Sequence, residues 1–104
     1  MAIENGDTPT VLLTIAYDSG MDERIMETLQ GVGITGWTKI FDAHGSGGAG
    51  AKLDSPVFPG SITLLYLLLP ETEAHRAAAV LRALQQTYRR NPGLTMWTTP
   101  AQML

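Results

Sequence analysis

Ser61-Ile-Thr-Leu-Leu-Tyr-Leu-Leu-Leu69 is an almost unbroken apolar stretch of this 104-residue chain, and Pro70 ends it. An apolar run of this length that stops at a proline predicts a β-strand. Successive side chains of a strand point to opposite faces, so large apolar residues fall on both faces here. A strand covered on one face only would alternate apolar and polar residues. Both faces of this strand must therefore be kept from water.

Three further segments of the chain predict strands, because they are short runs rich in apolar, β-branched and aromatic residues. The first strand is predicted over Thr10–Tyr17, the second over Thr35–Ala43 and the fourth over Leu94–Thr99. Ser61–Leu69 is then the third strand in the order of the chain.

A helix is predicted between the first two strands. Ser19 is the expected N-cap, and Asp22 stands three residues later in the capping-box position. Gly31 and Gly33 are expected to end the helix. Four residues at helical spacing give it one apolar face: Met21, Ile25, Leu29 and Val32.

A second helix is predicted between the third and fourth strands. Thr72 is the expected N-cap, with Glu73 in the first turn. Arg89 and Arg90 are expected in the last turn, where they would interact favourably with the helix dipole. The apolar face of this helix consists of Ala77, Leu81, Leu84 and Tyr88.

The order strand, helix, strand, strand, helix, strand predicts the ferredoxin-like βαββαβ fold of the α+β class. In this fold, one antiparallel sheet carries both helices on one face. Residues 10–104 are expected to form a single domain, preceded by a flexible tail over residues 1–9. The helices leave the other sheet face uncovered. Leu65, Leu67 and Leu69 point to one face and Leu64, Tyr66 and Leu68 to the other, and whichever set is uncovered would form an apolar patch too large for a monomer. We expect another copy of the chain to cover that face, with folding-over of the tail or the long loop as the alternative.

Composition excludes several classes of function. The chain has no cysteine, which rules out disulfides and cysteine-ligated zinc. The net charge is −3 and no block of basic residues is present, so nucleic acid is not an expected partner. No apolar run is long enough for a transmembrane helix, and no secretory signal is recognisable. We expect a cytoplasmic protein.

A cluster of glycines follows the second strand, in His44-Gly-Ser-Gly-Gly-Ala-Gly50. Because glycine lets a ligand approach main-chain N–H groups closely, such a cluster can cradle an anion. A surface connection without a ligand is the other interpretation. The loop is predicted to continue to Gly60 without regular structure, and structureless loops of this length are usually functional or disordered.

The stretch Val32-Gly-Ile-Thr-Gly-Trp-Thr38, followed by a strand and then by Gly45-Ser-Gly47, resembles the PII signalling proteins. Those proteins show a G-[VI]-T-G-x-T stretch, a strand and a G-F-G turn that opens the flexible T-loop. The resemblance covers roughly residues 10–99 in the order and length of the elements. It identifies residues 44–60 as a short equivalent of the T-loop.

The resemblance implies a homotrimer whose sheets face inward and which binds adenine nucleotides in clefts between subunits. It implies a non-enzymatic sensor that regulates a transporter or a metabolic enzyme through its loop. Gly36, Trp37 and Thr38 would lie near the base and ribose, and Gly45, Ser46 and Gly47 near the phosphates. The candidate phosphate cations are Lys52, Arg89 and Arg90, although the two arginines could equally be a helix C-terminal feature.

Two departures from the family pattern change the expected ligand and regulation. Gly48 stands where a basic residue usually follows the turn, so one phosphate cation is missing. ADP, AMP or another small anion is therefore as good a candidate as ATP, and no cofactor is expected to be obligatory. The loop contains no tyrosine, so the uridylylation switch is not expected.

The alternative function is that of a metal-binding, metal-tolerance protein on the same trimeric scaffold. His44 would bind a divalent ion together with carboxylates such as Asp42 and Asp54. A metal site needs three or four converging ligands, and the sequence shows no complete set. Catalysis is not expected, because Ser46 lacks the sequence context of a nucleophile and no acid/base pair is recognisable.

Overall fold

A computed structural model describes residues 8–47, 50–52, 60–89 and 93–104. The first seven residues of the expected tail, Gly48, Asp54 and Arg90 lie outside the described residues. Pro9, the last residue of the expected tail, is described. Its carbonyl oxygen accepts a hydrogen bond from the Glu71 N–H at 2.8 Å, so the chain is held at this point.

The order of the long elements is the predicted one. Ser19–Met21 forms a short 3₁₀ turn before the first helix, and two three-residue strands lie within the expected loop. The elements are β1 (Thr10–Asp18), α1 (Asp22–Gly31), β2 (Thr38–Ala43), β3 (Gly45–Gly47), β4 (Gly50–Lys52), β5 (Ile62–Pro70), α2 (Glu71–Gln85) and β6 (Thr95–Pro100). The second long strand begins at Thr38 rather than Thr35. The end of α1 at Gly31 is confirmed, and Gly33 adopts a φ of +81° just after it.

The four long strands form one sheet in the order β2-β5-β1-β6, and every neighbouring pair is antiparallel. Strands β2 and β6 are therefore the two edges. This is the order of the ferredoxin-like fold, and the fold prediction is confirmed. The prediction that His44–Gly60 lacks regular structure is wrong in its first part, because β3 and β4 pair as a small antiparallel hairpin.

Ser19 is not the N-cap of α1, and Asp22 is not part of a capping box. The Ser19 hydroxyl lies 2.9 Å from the Ser61 hydroxyl and 2.8 Å from the Thr63 hydroxyl. The Asp18 carboxylate instead accepts the Gly20 N–H at 2.9 Å and caps the 3₁₀ turn. The hydroxyl groups of Ser61 and Thr63 thus take the hydrogen bonds of the Ser19 hydroxyl, which therefore does not cap the helix.

The predicted ends of α2 also need correction. The helix begins at Glu71, before Thr72, and no side chain caps it; the Pro9 carbonyl described above takes the Glu71 N–H instead. It ends at Gln85, so Arg89 lies beyond the helix and Arg82 is the basic residue of the last turn. Tyr88 also lies beyond the helix, although it packs against the core.

The core lies between the sheet and the two helices. Inward-facing residues of β1 and β5 meet the apolar faces of α1 and α2, and all of them are almost completely buried: Leu13, Ile15, Tyr17, Leu65, Leu67, Ile25, Leu29, Ala77 and Leu81. Thr63 is a fully buried polar residue, and the Ser19 hydroxyl pairs with its hydroxyl. The apolar faces predicted for the helices therefore do form the core.

The opposite sheet face is not covered by the described chain. Leu68 is 52% exposed, whereas its neighbour Leu67 is fully buried. Strand register places rows of side chains across this face: Leu12 beside Leu68, Trp97-Thr14-Tyr66-Thr38, and Ala16-Leu64-Ile40. The prediction of a strand that is apolar on both faces, with helices over one face only, is confirmed.

Candidate ligand-binding surface

The residues predicted to contact a base and ribose line one shallow pocket. Gly36, Trp37 and Thr38 form one side of it, at the start of β2. The pocket has a volume of about 310 Å³, and its other lining residues are Leu12, Tyr66 and Leu68. We call it the sheet-face pocket, because Leu12, Tyr66 and Leu68 belong to the uncovered sheet face. Apolar and aromatic walls with two hydroxyl groups suit a flat ring that carries polar substituents.

Beside this pocket, Lys39 is enclosed by two aromatic rings. Its ammonium nitrogen lies 4.7 Å from the centre of the Trp37 ring and 5.3 Å from that of Phe41. The same nitrogen lies 2.9 and 3.0 Å from the two carboxylate oxygens of Asp22, at the start of α1. The Lys39 side chain is only 8% exposed. No role for Lys39 could be predicted from the sequence, because its partner Asp22 lies on another element.

Asp22 has a second partner in the core. The Tyr17 hydroxyl donates a hydrogen bond of 2.6 Å to the Asp22 carboxylate. Burial raises the pKa of Tyr17 well above its ordinary value, and the hydrogen bond and negative charge of Asp22 raise it further. Tyr17 therefore stays protonated and holds the carboxylate that binds Lys39.

The residues predicted to contact phosphates lie at the other end of β2. Gly45, Ser46 and Gly47 form strand β3 of the hairpin. From Thr38 to Gly45 the chain runs seven residues, which corresponds to about 20 Å of extended strand. A Cβ on Gly45 would lie 2.7 Å from the Ile62 Cδ1, so the hairpin base packs closely against β5. One chain does not bring both groups of predicted residues together.

The predicted phosphate cations lie in two further places. The backbone of Lys52 in β4 pairs with Gly45. Arg89 follows α2 and precedes β6, which begins beside Ala16 at the end where β1 ends. The glycine hairpin lies at the same end of the sheet as the start of β6. However, β6 and β2 are opposite edges of the sheet, about 14 Å apart. A site that used all the predicted residues would need an edge of one chain against an edge of another.

The base of the loop contains a feature that sequence analysis missed. Asp42 adopts a φ of 62°, and the pairing of β2 with β5 shifts register between Ile40 and Ala43. The Ser61 hydroxyl donates a long hydrogen bond of 3.5 Å to the Asp42 carboxylate. Aspartate tolerates this left-handed conformation better than most residues, and an Asp–Ala–His sequence gives no local sign of a bulge.

The described residues provide no set of ligands for the metal ion of the alternative function. His44 is exposed, and within the described part of the chain no group of three or more His, Cys, Asp or Glu side chains could hold an ion. Asp54, which the hypothesis also uses, lies outside that part. Across the same residues, no helix is long and apolar enough to cross a membrane.

Comparison with known proteins gives matches in structure. No family model matches the sequence, and no curated protein matches it significantly. CPII from Thiomonas intermedia K12, a nitrogen regulatory PII-like protein solved with ADP, AMP and bicarbonate, superposes with a TM-score of 0.71 at 15% identity. That match covers 91% of this chain and 92% of CPII.

A second match is a PII-like signaling protein, TTHA0516, from Thermus thermophilus. It superposes with a TM-score of 0.61 at 22% identity, over 90% of this chain and 88% of TTHA0516. Both matches extend over nearly the whole of each chain, so the likeness is one of complete folds. The chain thus has the ferredoxin-like fold of the PII-like proteins, as the resemblance of residues 32–47 predicts.

Proposed function

We propose that this chain is a divergent PII-like signalling protein. Residues 10–104 act as one domain, and three copies assemble with their sheets facing inward. Each cleft between subunits binds an adenine nucleotide or another small anionic metabolite. The protein is a sensor rather than an enzyme, and it acts in the cytoplasm. Its loop, residues 44–60, regulates a partner such as a transporter or a metabolic enzyme.

The observation that carries the proposal is the position of the sheet-face pocket. Gly36, Trp37 and Thr38 open onto the apolar face that the helices leave exposed. Covering this face with other copies of the chain would bury Leu68 and Tyr66 and turn the shallow pocket into an enclosed cleft. Burial of large apolar groups supplies the driving force for this assembly.

Assembly also accounts for the scattered positions of the predicted residues. The base-binding residues and the glycine hairpin lie at opposite ends of β2, and Arg89 follows α2, in the part of the chain that leads to β6 at the other sheet edge. A neighbouring chain can bring its own hairpin or Arg89 to the pocket of the first. Support from the comparisons is that the PII-like CPII was solved with ADP, AMP and bicarbonate.

The glycine hairpin is suited to phosphate groups. Those backbone N–H groups of Gly45–Gly47 that are not used in pairing with β4 can donate to an anion without hindrance from large side chains. Lys52 and Arg89 would supply positive charge. A ligand that orders the hairpin changes the surface of the loop, which is a known type of molecular switch.

The nucleotide proposal is tested by isothermal titration of the full chain with ADP, AMP and ATP, each with and without bicarbonate. We expect binding of at least one nucleotide. Trp37→Ala should weaken it about tenfold, because stacking of a base on an aromatic ring contributes about 1–3 kcal/mol. Thr38→Val removes one hydroxyl from the pocket and should weaken binding less.

Thr72→Val is the matched control, because Thr72 is an exposed threonine of α2 that does not line the pocket. It should bind like the wild type. Absence of heat and of any thermal shift with all three nucleotides would refute nucleotide sensing. Equal affinities of the wild type and Trp37→Ala would refute the sheet-face pocket as the site.

A further inference from the structure

Trp37 is an aromatic wall of the sheet-face pocket, and it lies at an edge of the sheet. Trp37 is 46% exposed and immediately precedes β2, which among the described strands has a partner on one side only. Within the described part of the chain, no strand therefore supports the indole from outside. The same ring also borders a second pocket of about 330 Å³ on the helix side, together with Met26, Gln30, Ile34 and Thr35. The orientation of the indole thus sets the shape of two pockets.

Lys39 is placed to fix that orientation. Lys39 pairs with Leu65, whose side chain is buried under the helices, so the Lys39 side chain lies on the helix side of β2. The Lys39 nitrogen approaches the Trp37 ring within 4.7 Å and the Phe41 ring within 5.3 Å. A cation at this distance from a ring is attracted to the π-system, most strongly to that of tryptophan.

The position of the cation is itself fixed from the core. Both carboxylate oxygens of Asp22 lie within 3.0 Å of the Lys39 nitrogen, and the buried Tyr17 hydroxyl holds the same carboxylate. A flexible lysine is thereby kept in one place, with its side chain 8% exposed. This ammonium is already neutralised, so it is not a candidate for binding ligand phosphates.

We propose that Lys39 is a positioning residue for the nucleotide site. Between Asp22 and the two rings, it holds the indole of Trp37 as a wall of the sheet-face pocket. Lys39 does not touch the ligand; it sets the affinity for the planar base through the ring. This inference rests on the proposed nucleotide-binding function and adds a residue that the PII-like resemblance does not supply.

The first test reads the indole without any ligand. In a Trp97→Phe background, Trp37 is the remaining tryptophan, and its fluorescence anisotropy decay and near-UV circular dichroism report its order. Lys39→Met keeps the length of the side chain but removes the charge, and we expect greater indole mobility and a weaker near-UV signal. Lys39→Arg keeps a cation that stacks on aromatic rings, and we expect it to retain the wild-type signal.

The second test is titration with ADP, or with AMP or ATP if that nucleotide binds more tightly. Lys39→Met should raise the dissociation constant about five- to tenfold, while Lys39→Arg should stay within about twofold of the wild type. Leu84→Ala is the control for general destabilisation, because this buried residue of α2 lines neither of the two pockets that Trp37 borders. It should lower the melting temperature and leave the affinity unchanged.

The possible outcomes separate this inference from the proposed function. If the wild type binds no nucleotide, the proposed function and this inference both fail. If the wild type binds but Lys39→Met binds equally well, or its indole is as ordered as before, Lys39 is not a positioning residue and the proposed function stands. An equal loss of affinity in Leu84→Ala would likewise overturn the inference.

Discussion

The two faces of the central sheet carry similar side chains in very different surroundings. On the helix-covered face, Leu65 and Leu67 are fully buried against α1 and α2. On the other face, Leu64 and Tyr66 are only partly buried and Leu68 is half-exposed. Both sets come from one strand, so the difference lies in what covers each face and not in the residues. The first face is completed by the chain itself, and we propose that the second is completed by other copies of it.

The comparison also relates stability to function. The covered face holds the fold together, and its polar groups Tyr17 and Thr63 have hydrogen-bonding partners. The uncovered face carries the pocket at Gly36–Thr38, where a neighbouring subunit would bring its own residues. Substitutions of core residues on the first face should therefore change folding, and those on the second should change assembly and ligand binding.

The largest expected effect is on assembly. Leu68→Asp places a charge in the middle of the uncovered face, and burying it between subunits would be costly. We expect a trimer for the wild type and a folded monomer for the variant at micromolar concentration. Light scattering after size-exclusion chromatography measures the mass, and circular dichroism confirms the fold.

Thr72→Asp introduces the same charge at an exposed position of α2 and should remain a trimer. A monomeric wild type would contradict the idea that copies of the chain cover this face. A variant that stays trimeric would show that Leu68 lies outside the interface.

The next effect is on folding, from the residue beside Leu68. Leu67→Ala leaves a cavity in the helix-covered core and should lower the free energy of unfolding by about 2–5 kcal/mol. Urea denaturation in the Leu68→Asp background avoids coupling between unfolding and dissociation. Leu104→Ala, at a fully exposed position, should change stability by less than about 0.5 kcal/mol. A loss for Leu67→Ala as small as that of the control would mean that this face is not the core.

The smallest effect is the pH dependence of a buried polar contact on the covered face. Tyr17→Phe removes a hydrogen bond to a charged carboxylate and should cost about 1.5–3 kcal/mol near pH 8. The folded-state pKa of Tyr17 is raised above its ordinary value of 10.0, so the unfolded chain loses the phenol proton first. The stability that Tyr17 contributes is complete below pH 10 and declines as the pH rises above it.

The difference in unfolding free energy between the parent and Tyr17→Phe should therefore shrink by about 1.4 kcal/mol between pH 8 and pH 11. Urea denaturation over that range, in the same monomeric background, measures it. The difference for Leu67→Ala involves no titrating group and should stay constant. A Tyr17→Phe difference that does not change with pH would show that the Tyr17 proton is no more strongly held in the folded state.

Sequence patterns predicted much of the fold because they reflect local geometry. The period of two in the strands and the helical spacing of Ile25 and Leu29 both follow from the backbone. Predicted helix starts were less accurate. Ser19 looks like an N-cap locally, but Ser61 and Thr63, more than forty residues later, compete for its hydroxyl. The backbone of Pro9 replaces the expected Thr72 cap for a similar reason.

The candidate site was predicted only in its parts. Gly36, Trp37 and Thr38 are adjacent in sequence, so their shared pocket could be expected. The role proposed for Lys39 could not be expected from the sequence, because alternation along β2 shows only which face the side chain takes. Its partner Asp22, and Tyr17, which binds Asp22, come from other elements. The hairpin of β3 and β4 was missed because three-residue strands made mostly of glycine and alanine have no periodic pattern.

The amino-acid sequence by itself determined the βαββαβ order and the apolar character of both faces of β5, because periodicity and apolar composition are local properties of a chain. Only the tertiary structure decided which leucines are covered, that Asp22 is the carboxylate beside Lys39, and that the glycine hairpin lies a strand's length from Trp37. These depend on strand register and helix placement, which bring together residues far apart in sequence.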